Sequence, residues 1–273
     1  ICTHCEDSNI IFENEKKALS QYGEDIPFSM HRIIRSEEAC VESSKLAIEL
    51  AKETGARLHL MHLSTAKEVE LLKEYMFGNC RTRQISGEAV IPHLYFSESD
   101  YERLGGFLKC NPAVKTERDR LALIKAVEDG VITTIGTDHA PHEISAKTGN
   151  YKHCASGVPS IQYSLLALLD LWKRRELSLE TIIKAASENV AERYRIKNRG
   201  KIEEGYYADL AIIDPLKPHT VTSDEIASKC GYSPFLHHTF ACSVVHTIVN
   251  GNLVVESGKL VDDSIGFALE FDR

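Results

Sequence analysis

The sequence predicts an α/β chain in which four strand–helix units build a parallel sheet, with a small β domain attached after them. Three observations carry that prediction. Short apolar runs have the length of buried strands: residues 57–63 carry three leucines and a methionine, and residues 131–135 are β-branched throughout. Each run is joined to the next by a stretch with helix caps and helical periodicity, and the unit recurs at roughly 35 to 55 residues. From Gly200 onward the helical pattern stops and short strands take over. Four such units describe half of a barrel or a small open sheet.

The first strand, residues 1–5, ends in His4-Cys5-Glu6-Asp7. A polar helix is expected over residues 14–21. Ser36 is placed to cap a longer helix, with Glu37 and Glu38 in its first turn, Ala47, Leu50 and Ala51 on its apolar face, and Gly55 as its stop. Residues 57–63 form the second strand. Thr65-x-x-Glu68 is a capping box that opens a helix over 66–76. A third strand spans 81–91 and breaks at Pro92-His93. Thr116-x-x-Asp119 is a second capping box, for a helix that ends by Gly130. Residues 131–135 make the fourth strand, which Gly136 ends and Pro141 keeps from resuming. A loop over 144–159 leads to helices over 160–175 and 178–195. Beyond Gly200, residues 200–205, 208–214, 244–250 and 253–256 read as strands, with a turn at Asn250-Gly251-Asn252. The expected boundary lies between 197 and 198: an α/β domain over 1–197 and a β domain over 198–273.

Composition narrows the function classes. Of the 273 residues 43% are hydrophobic and 26% charged, an ordinary globular balance. A formal charge of −8 does not favour a nucleic-acid or anionic-membrane partner. No apolar run approaches the ~20 residues that a membrane-spanning helix requires. The opening Ile1-Cys2-Thr3-His4-Cys5 has neither an initiator Met nor the layout of a signal peptide, so the chain is expected to begin within a strand of a longer polypeptide. Eight cysteines scattered through a chain with its own core suggest reduced thiols and a cytoplasmic location. Cys2-x-x-Cys5 has no second pair at zinc-ribbon spacing, and both residues are expected to be small buried hydrophobes.

Four strand ends carry polar groups: His4 with Glu6 and Asp7, His62 with Ser64, His93, and Asp138 with His139 and His142. In a parallel sheet these ends lie on one side, so the side chains can converge. Imidazoles and carboxylates without a thiolate partner suit zinc or a similar divalent cation with an open position for hydrolysis. A histidine at one strand end is ordinarily a core or surface residue; its recurrence at three strands is what points to a site. A serine or cysteine nucleophile with a His–Asp pair is the competing chemistry, but no G-x-S-x-G elbow is present. His59, three residues before His62, falls on the other strand face and reads as a packed residue. His139 is adjacent to Asp138 and points elsewhere, toward structural hydrogen bonds.

Several segments together resemble the amidohydrolase superfamily and, within it, the cyclic amidohydrolases of the dihydroorotase type. They are His4-Cys5-Glu6-Asp7, His59-Leu60-Met61-His62-Leu63-Ser64-Thr65, Cys110-Asn111-Pro112-Ala113-Val114-Lys115, Thr137-Asp138-His139-Ala140-Pro141-His142 and Ser156-Gly157-Val158-Pro159. Gly205-Tyr206-Tyr207-Ala208-Asp209-Leu210-Ala211 resembles the superfamily's return strand into a β-sandwich. The resemblance implies a TIM (β/α)8 barrel whose second half, strands five to eight, is residues 1–197, and a β-sandwich whose later part is residues 198–273. It implies two divalent cations, zinc by expectation, with His4 and His62 on the more buried one. Asp138 would ligate the other and serve as the catalytic acid/base. Asn111 and His142 would hold the substrate, His142 by its carboxylate, with the loop backbone near Gly157 against the ring. The implied activity is reversible hydrolysis of dihydroorotate to N-carbamoyl-aspartate in pyrimidine synthesis, by a metal-bound hydroxide. Its partner is then a small-molecule substrate, not a nucleic acid or a membrane, with a homodimer as a candidate assembly. A related ring-opening enzyme (allantoinase or dihydropyrimidinase) and a non-catalytic scaffold of the same type are the alternatives. A histidine four residues after Asp138 favours a substrate with a free carboxylate.

The sequence departs from the family at its start. The family's first strand carries a His-x-His pair followed by a substrate-binding arginine, and a later strand supplies a bridging carboxylate or carboxylated lysine. None of these precedes the first strand–helix unit here, so ligands for the second cation are expected to lie largely outside this chain.

Overall fold

A computed structural model of the chain describes residues 1–76, 83–262 and 266–272. Four short strands lie side by side in sequence order: β1 (Cys2–Thr3), β2 (Leu58–Leu60), β3 (Ile85–Val90) and β4 (Thr134–Gly136). Every pairing is parallel, with Cys2 opposite His59, Leu58 opposite Ile85 and Glu88 opposite Thr134. Parallel neighbours must be joined by crossovers, and helices supply them. Helices α1 (Ser8–Tyr22), α2 (His31–Ile34) and α3 (Glu37–Thr54) connect β1 to β2, and α4 (Ala66–Lys73) lies between β2 and β3. The connection from β3 to β4 holds α5 (Ile91–Tyr95), α6 (Asp100–Leu104) and α7 (Glu117–Glu128). After β4 come α8 (Ile144–Lys147), α9 (Ser164–Lys173), α10 (Leu179–Ile183) and α11 (Asn189–Tyr194), the last two joined by a π-helical turn at Lys184–Glu188. With helices over it the sheet is buried: Leu58, Leu60, Ile85, Ala89 and Val90 are all core residues. A side chain such as Leu60 or Ile85 contributes about 1.5–3 kcal/mol by leaving water.

The helix caps read from the sequence are the ones that form. Ser36 accepts the amide of Ala39 and Gly55 closes α3 in a left-handed turn. Both capping boxes are complete, Thr65 with Glu68 and Thr116 with Asp119. Glu68 is 2% exposed and does more than cap: it accepts from the amides of Ser64 and Thr65 and from the hydroxyls of Thr65 and Ser44. Ser64 is therefore engaged in closing α4 and is not a free group at the end of β2. Asp119 has a second partner outside its own box. One of its oxygens accepts from Thr116, and the other accepts the amide of Ala66, the first residue of α4, at 2.9 Å.

Other expectations need correction. The first helix begins at Ser8, six residues before the expected start, because Asp7 is its N-cap and accepts from Asn9 and Ile10. Leu50 is 51% exposed; the buried stripe of α3 runs through Ala39, Cys40, Ser44, Ile48 and Ala51, one step round the helix. The third strand covers Ile85–Val90, and the expected start at residue 81, like Cys80, lies outside the described residues. The expected helix over 66–76 ends at Lys73. Pro92 does not merely interrupt a strand but sits in the first turn of α5, where its missing N–H is harmless. Cys2 is exposed whereas Cys5 is buried, so the CxxC pair is not two packed hydrophobes; all seven described cysteines are free thiols.

The later part of the chain forms an antiparallel sheet of β5 (Leu210–Asp214), β8 (Ser243–Val249), β9 (Asn252–Glu256) and β10 (Lys259–Leu260), in the order β10-β9-β8-β5. Between β5 and β8 the chain returns to the α/β body. There β6 (His219–Thr220) pairs with β7 (Thr239–Phe240), and Val221, Phe235 and Phe240 join the main core. Asp170 on α9 fastens this excursion, accepting from Tyr95 Oη at 2.8 Å, His238 Nε2 at 3.1 Å and the Ala241 amide at 2.8 Å.

Two histidines packed beside these elements make the fold acid-sensitive. His31 donates Nε2–H to the Cys110 carbonyl and takes the Tyr151 hydroxyl at Nδ1; His93 donates to the Pro112 carbonyl. Burial lowers the pKa of each from 6.5 to about 3, so both stay neutral in the fold. Below pH 6.5 the unfolded chain takes up protons that the folded chain does not. Stability should therefore fall as pH drops from 6.5 toward 3, by up to about 1.4 kcal/mol per pH unit for each histidine. Urea unfolding at several pH values measures the slope, and His31→Gln should reduce it; an equal slope in that variant would show that His31 is not its source.

Candidate functional site

Because β1 to β4 are parallel, the residues just past their carboxyl ends lie on one side of the sheet, and the candidate site is assembled there. His4 follows β1 and His62 follows β2. His4 Nδ1 and His62 Nε2 face each other at 3.1 Å. His62 is 5% exposed, and His4 is more open, with 43% of its side chain accessible. The backbone at His62 takes φ 35° and at Asp138, past β4, φ 46°. Left-handed conformations outside glycine cost about 1–3 kcal/mol and persist where surrounding structure enforces them. Here they turn the chain sharply at two strand ends that carry site residues.

Glu6 fixes the imidazole of His4. Its side chain is 1% exposed, and Oε2 accepts from His4 Nε2 at 3.0 Å and from Arg35. Burial alone would raise the Glu6 carboxyl, but the His4 hydrogen bond and the charges of Arg35 and Lys115 outweigh it and hold the pKa below its ordinary value. An ionised carboxylate can only accept, so the proton of His4 sits on Nε2 and the lone pair on Nδ1, facing His62. The second Glu6 oxygen and His62 Nδ1 are buried without a hydrogen-bond partner.

Asp138 completes the electrostatics. Burial raises its pKa, the charge of nearby Glu88 raises it further, and His62 and His4 oppose both. The same burial lowers the pKa of His62, with Asp138 and Glu88 pulling the other way and His4 adding to the fall. Glu88, on β3, lies against Gly136: a Cβ there would meet its carboxylate oxygens at 2.9 Å. A carboxylate inside the largely buried Ile85–Val90 strand is the sequence signal for it, one that a search confined to strand ends misses.

The remaining predicted residues form a second group on two neighbouring segments. His142 donates Nε2–H to the Ser156 carbonyl at 3.0 Å. Gly157 lies against it at φ 155°, and a Cβ at that position would come within 2.4 Å of the Ala140 carbonyl and 2.8 Å of the His142 ring. Only glycine fits. Its amide is already engaged, donating to Lys109 O at 2.7 Å. Asn111 precedes a cis bond to Pro112, and its Oδ1 is buried with no partner. Asp138 reaches this group electrostatically: after burial, its charge is the largest cause that pushes the Cys110 thiol up to about 12. His59 is packed, as expected, with Nδ1 2.7 Å from Ser86 Oγ. His139 Nδ1 accepts the Ile161 amide at 3.3 Å. Asp7, one of the polar groups at the first strand end, is used as a helix cap.

The family model described as "Amidohydrolase family" matches residues 1–254. The chain belongs to the amidohydrolase family. A dihydroorotase of Methanosphaera stadtmanae is 32% identical over 94% of this chain and 58% of its own length. An allantoinase of Desulfitobacterium hafniense is 28% identical over 97% of this chain and 58% of its own. Among solved structures, the L-hydantoinase (dihydropyrimidinase) of Arthrobacter aurescens superposes with a TM-score of 0.89 at 26% identity, over 96% of this chain and 58% of the other. The chain thus spans somewhat over half the length of these relatives. Its four-stranded parallel sheet with helices is part of a TIM-barrel-like α/β domain, and its sequence is similar to those of dihydroorotases and allantoinases.

Amidohydrolases are generally metal-dependent, and the residues here fit part of a metal shell. Two nitrogens at 2.0–2.1 Å from a shared tetrahedral ion are roughly 3.3 Å apart, close to the His4–His62 separation of 3.1 Å. Glu6, bonded to Nε2 of His4, stands where an outer partner would orient that imidazole for an ion at Nδ1. Among the described residues no three His, Cys, Asp or Glu side chains gather closely enough to hold an ion by themselves. If Glu6 holds His4 for an ion, Glu6→Gln should weaken zinc binding about 10- to 100-fold. Calorimetric titration of the full-length protein tests this; unchanged affinity would remove Glu6 from that role.

Proposed function

We propose that this amidohydrolase is a dihydroorotase, which hydrolyses a ring amide of dihydroorotate to give N-carbamoyl-aspartate and catalyses the reverse reaction in pyrimidine synthesis. The observation that supports the reading most is the pair His4 Nδ1 and His62 Nε2, set face to face beside the Asp138 carboxyl. In it β1 to β4 are strands five to eight of the barrel, within residues 1–197, and residues 198–273 contribute the later part of a β-sandwich. His4, His62 and Asp138 would hold divalent cations, zinc by preference for imidazole and carboxylate donors. A bound cation would supply Lewis acidity and lower the pKa of water.

The chain's own residues account for the rest of the chemistry. Hydrolysis forms a C–O bond from water to the ring carbonyl carbon and breaks the ring C–N bond, so one proton has to travel from the water to the departing nitrogen. Asp138, with its pKa raised by burial, is suited to take that proton and release it again. His142 would meet the substrate carboxylate as an imidazolium, donating Nε2–H to Ser156 O and Nδ1–H to the carboxylate. Asn111 Oδ1, unpartnered, would accept from a ring N–H. The seven cysteines among the described residues are free thiols, which accords with a cytoplasmic enzyme.

A second reading, an allantoinase or hydantoin-opening enzyme, is favoured by the similarity to the allantoinase and L-hydantoinase. His142 separates the two. Asp138→Ala should reduce hydrolysis of dihydroorotate by about 10²- to 10⁴-fold with the fold retained by circular dichroism. His142→Ala should raise KM for dihydroorotate about ten-fold or more, the loss of one charge-assisted hydrogen bond, and leave KM for hydantoin unmoved. Turnover unchanged in Asp138→Ala would overturn the mechanism; allantoin or hydantoin hydrolysed faster than dihydroorotate would favour the second reading.

A further inference from the structure

We propose that Lys147 is a positioning residue: a buried ammonium that fixes the spacing between the Asn111 segment and the Gly157 loop, with Lys109 holding the far side of that loop. The role assigned to it in substrate binding rests on the dihydroorotase reading, in which Asn111, His142 and the loop around Gly157 meet the substrate.

Lys147 ends α8 and is 2% exposed. An ammonium has three N–H donors, and all three are filled by backbone carbonyls: Ala155 at 2.7 Å, Gly157 at 2.9 Å and Lys109 at 3.1 Å. The Lys109 carbonyl also accepts the Gly157 amide at 2.7 Å. The ammonium thus closes a small ring of hydrogen bonds between residue 109, two positions before Asn111, and residue 157, whose Cα lies against His142. Lys109 is 7% exposed and works from the other side. Its ammonium donates to the carbonyls of Tyr151 and Cys154 at 2.7 and 2.6 Å and sits 4.2 Å from the centre of the Tyr151 ring. Among the described residues neither ammonium makes an ion pair with a carboxylate. Lys147 is held by two carbonyls of the loop and by that of Lys109, and Lys109 by two loop carbonyls and the Tyr151 ring.

A cation held this way does not serve stability. Burial pushes Lys147 down from 10.5 to about 8, with the Cys154 and Cys110 thiols opposing the fall and Lys109 adding to it. Tyr151, whose ring lies against the Lys109 ammonium, and His142, on the other side of Gly157, are further titratable groups beside the ring of hydrogen bonds, and the charges of Arg35 and Glu15 also act on Lys109. The folded chain releases the Lys147 proton more readily than the unfolded chain, so its contribution to stability rises with pH above about 8. The loop behaves oppositely. A neutral amine has two donors, so one of the three carbonyls loses its hydrogen bond and all lose the attraction of the charge. Rising pH should loosen the loop while the fold as a whole does not weaken, a combination that a purely structural lysine would not give.

The test uses the full-length protein with two independent readouts. Hydrogen exchange without substrate reports the loop, and KM and kcat for dihydroorotate report its use. Lys147→Met keeps the length of the side chain and removes the charge. It should speed exchange of amides 151–158 and raise KM, each about ten-fold or more, with a smaller change in kcat. Normal exchange and normal KM in that variant would overturn the proposal. Faster loop exchange in a protein whose wild type opens no cyclic amide would support the clamp and overturn only the reading of the site. Wild type provides a second arm should the variant fail to fold. Its KM should climb through pH 8 without a fall in the unfolding midpoint, and a KM flat across that range counts against Lys147.

Discussion

Strand direction is the constraint on which the site depends. Because β1 to β4 run parallel, every carboxyl end opens on the same side, and residues as far apart in sequence as His4 and Asp138 come within electrostatic reach of each other. Parallel pairing also forces helical crossovers, and those helices bury the strands so thoroughly that a polar residue within them requires a partner. Polar side chains are accordingly concentrated where the strands stop. The left-handed turns at His62 and Asp138 bend the chain just past that edge, and each is braced by the segment next to it: Glu68 gathers the amides after His62, and the 137–160 loop folds back on itself after Asp138.

Charge at this edge is arranged in two ways. Around His4, Glu6 and Arg35, opposite charges are in direct contact, so ionised forms persist in a buried place. Around Asp138 the surroundings favour neutrality, since burial and Glu88 both act against its negative charge. A carboxylate kept ionised thus contacts His4, while a carboxyl inclined to hold a proton interacts with His62 and His4. In the proposed reaction that difference in environment would suit one to orienting and the other to proton transfer, although aspartate and glutamate have nearly the same chemistry in water.

Much of this was legible in the sequence because it is local. Caps, capping boxes and strand-breaking glycine and proline act within three or four residues, and Ser36, Thr65, Thr116 and Gly55 behave as their spacing implies. The strand-end histidines and Asp138 were visible for the same reason. Features that depend on distant partners were not legible. Asp7 fits the strand-end cluster by position, yet its carboxylate is spent on the amides of α1. Leu50 fits a helical stripe, yet the sheet meets α3 one step round, at Ile48. The excursion between β5 and β8 into the α/β core is held by Asp170, far away in the chain. Lys109 and Lys147 resemble ordinary surface lysines, since nothing in the sequence announces that carbonyls of a folded loop will surround them.

The double engagement of Asp119 has a mechanical meaning. One oxygen closes the first turn of α7, and the other holds the leading amide of α4. Helix α4 begins four residues after His62, and α7 begins six residues after Asn111. Two segments that reach the site along unrelated paths are therefore referenced to a single atom group behind it. Moving one helix start away from the other would cost a hydrogen bond to that carboxylate, which ties the spacing of the two segments to one side chain.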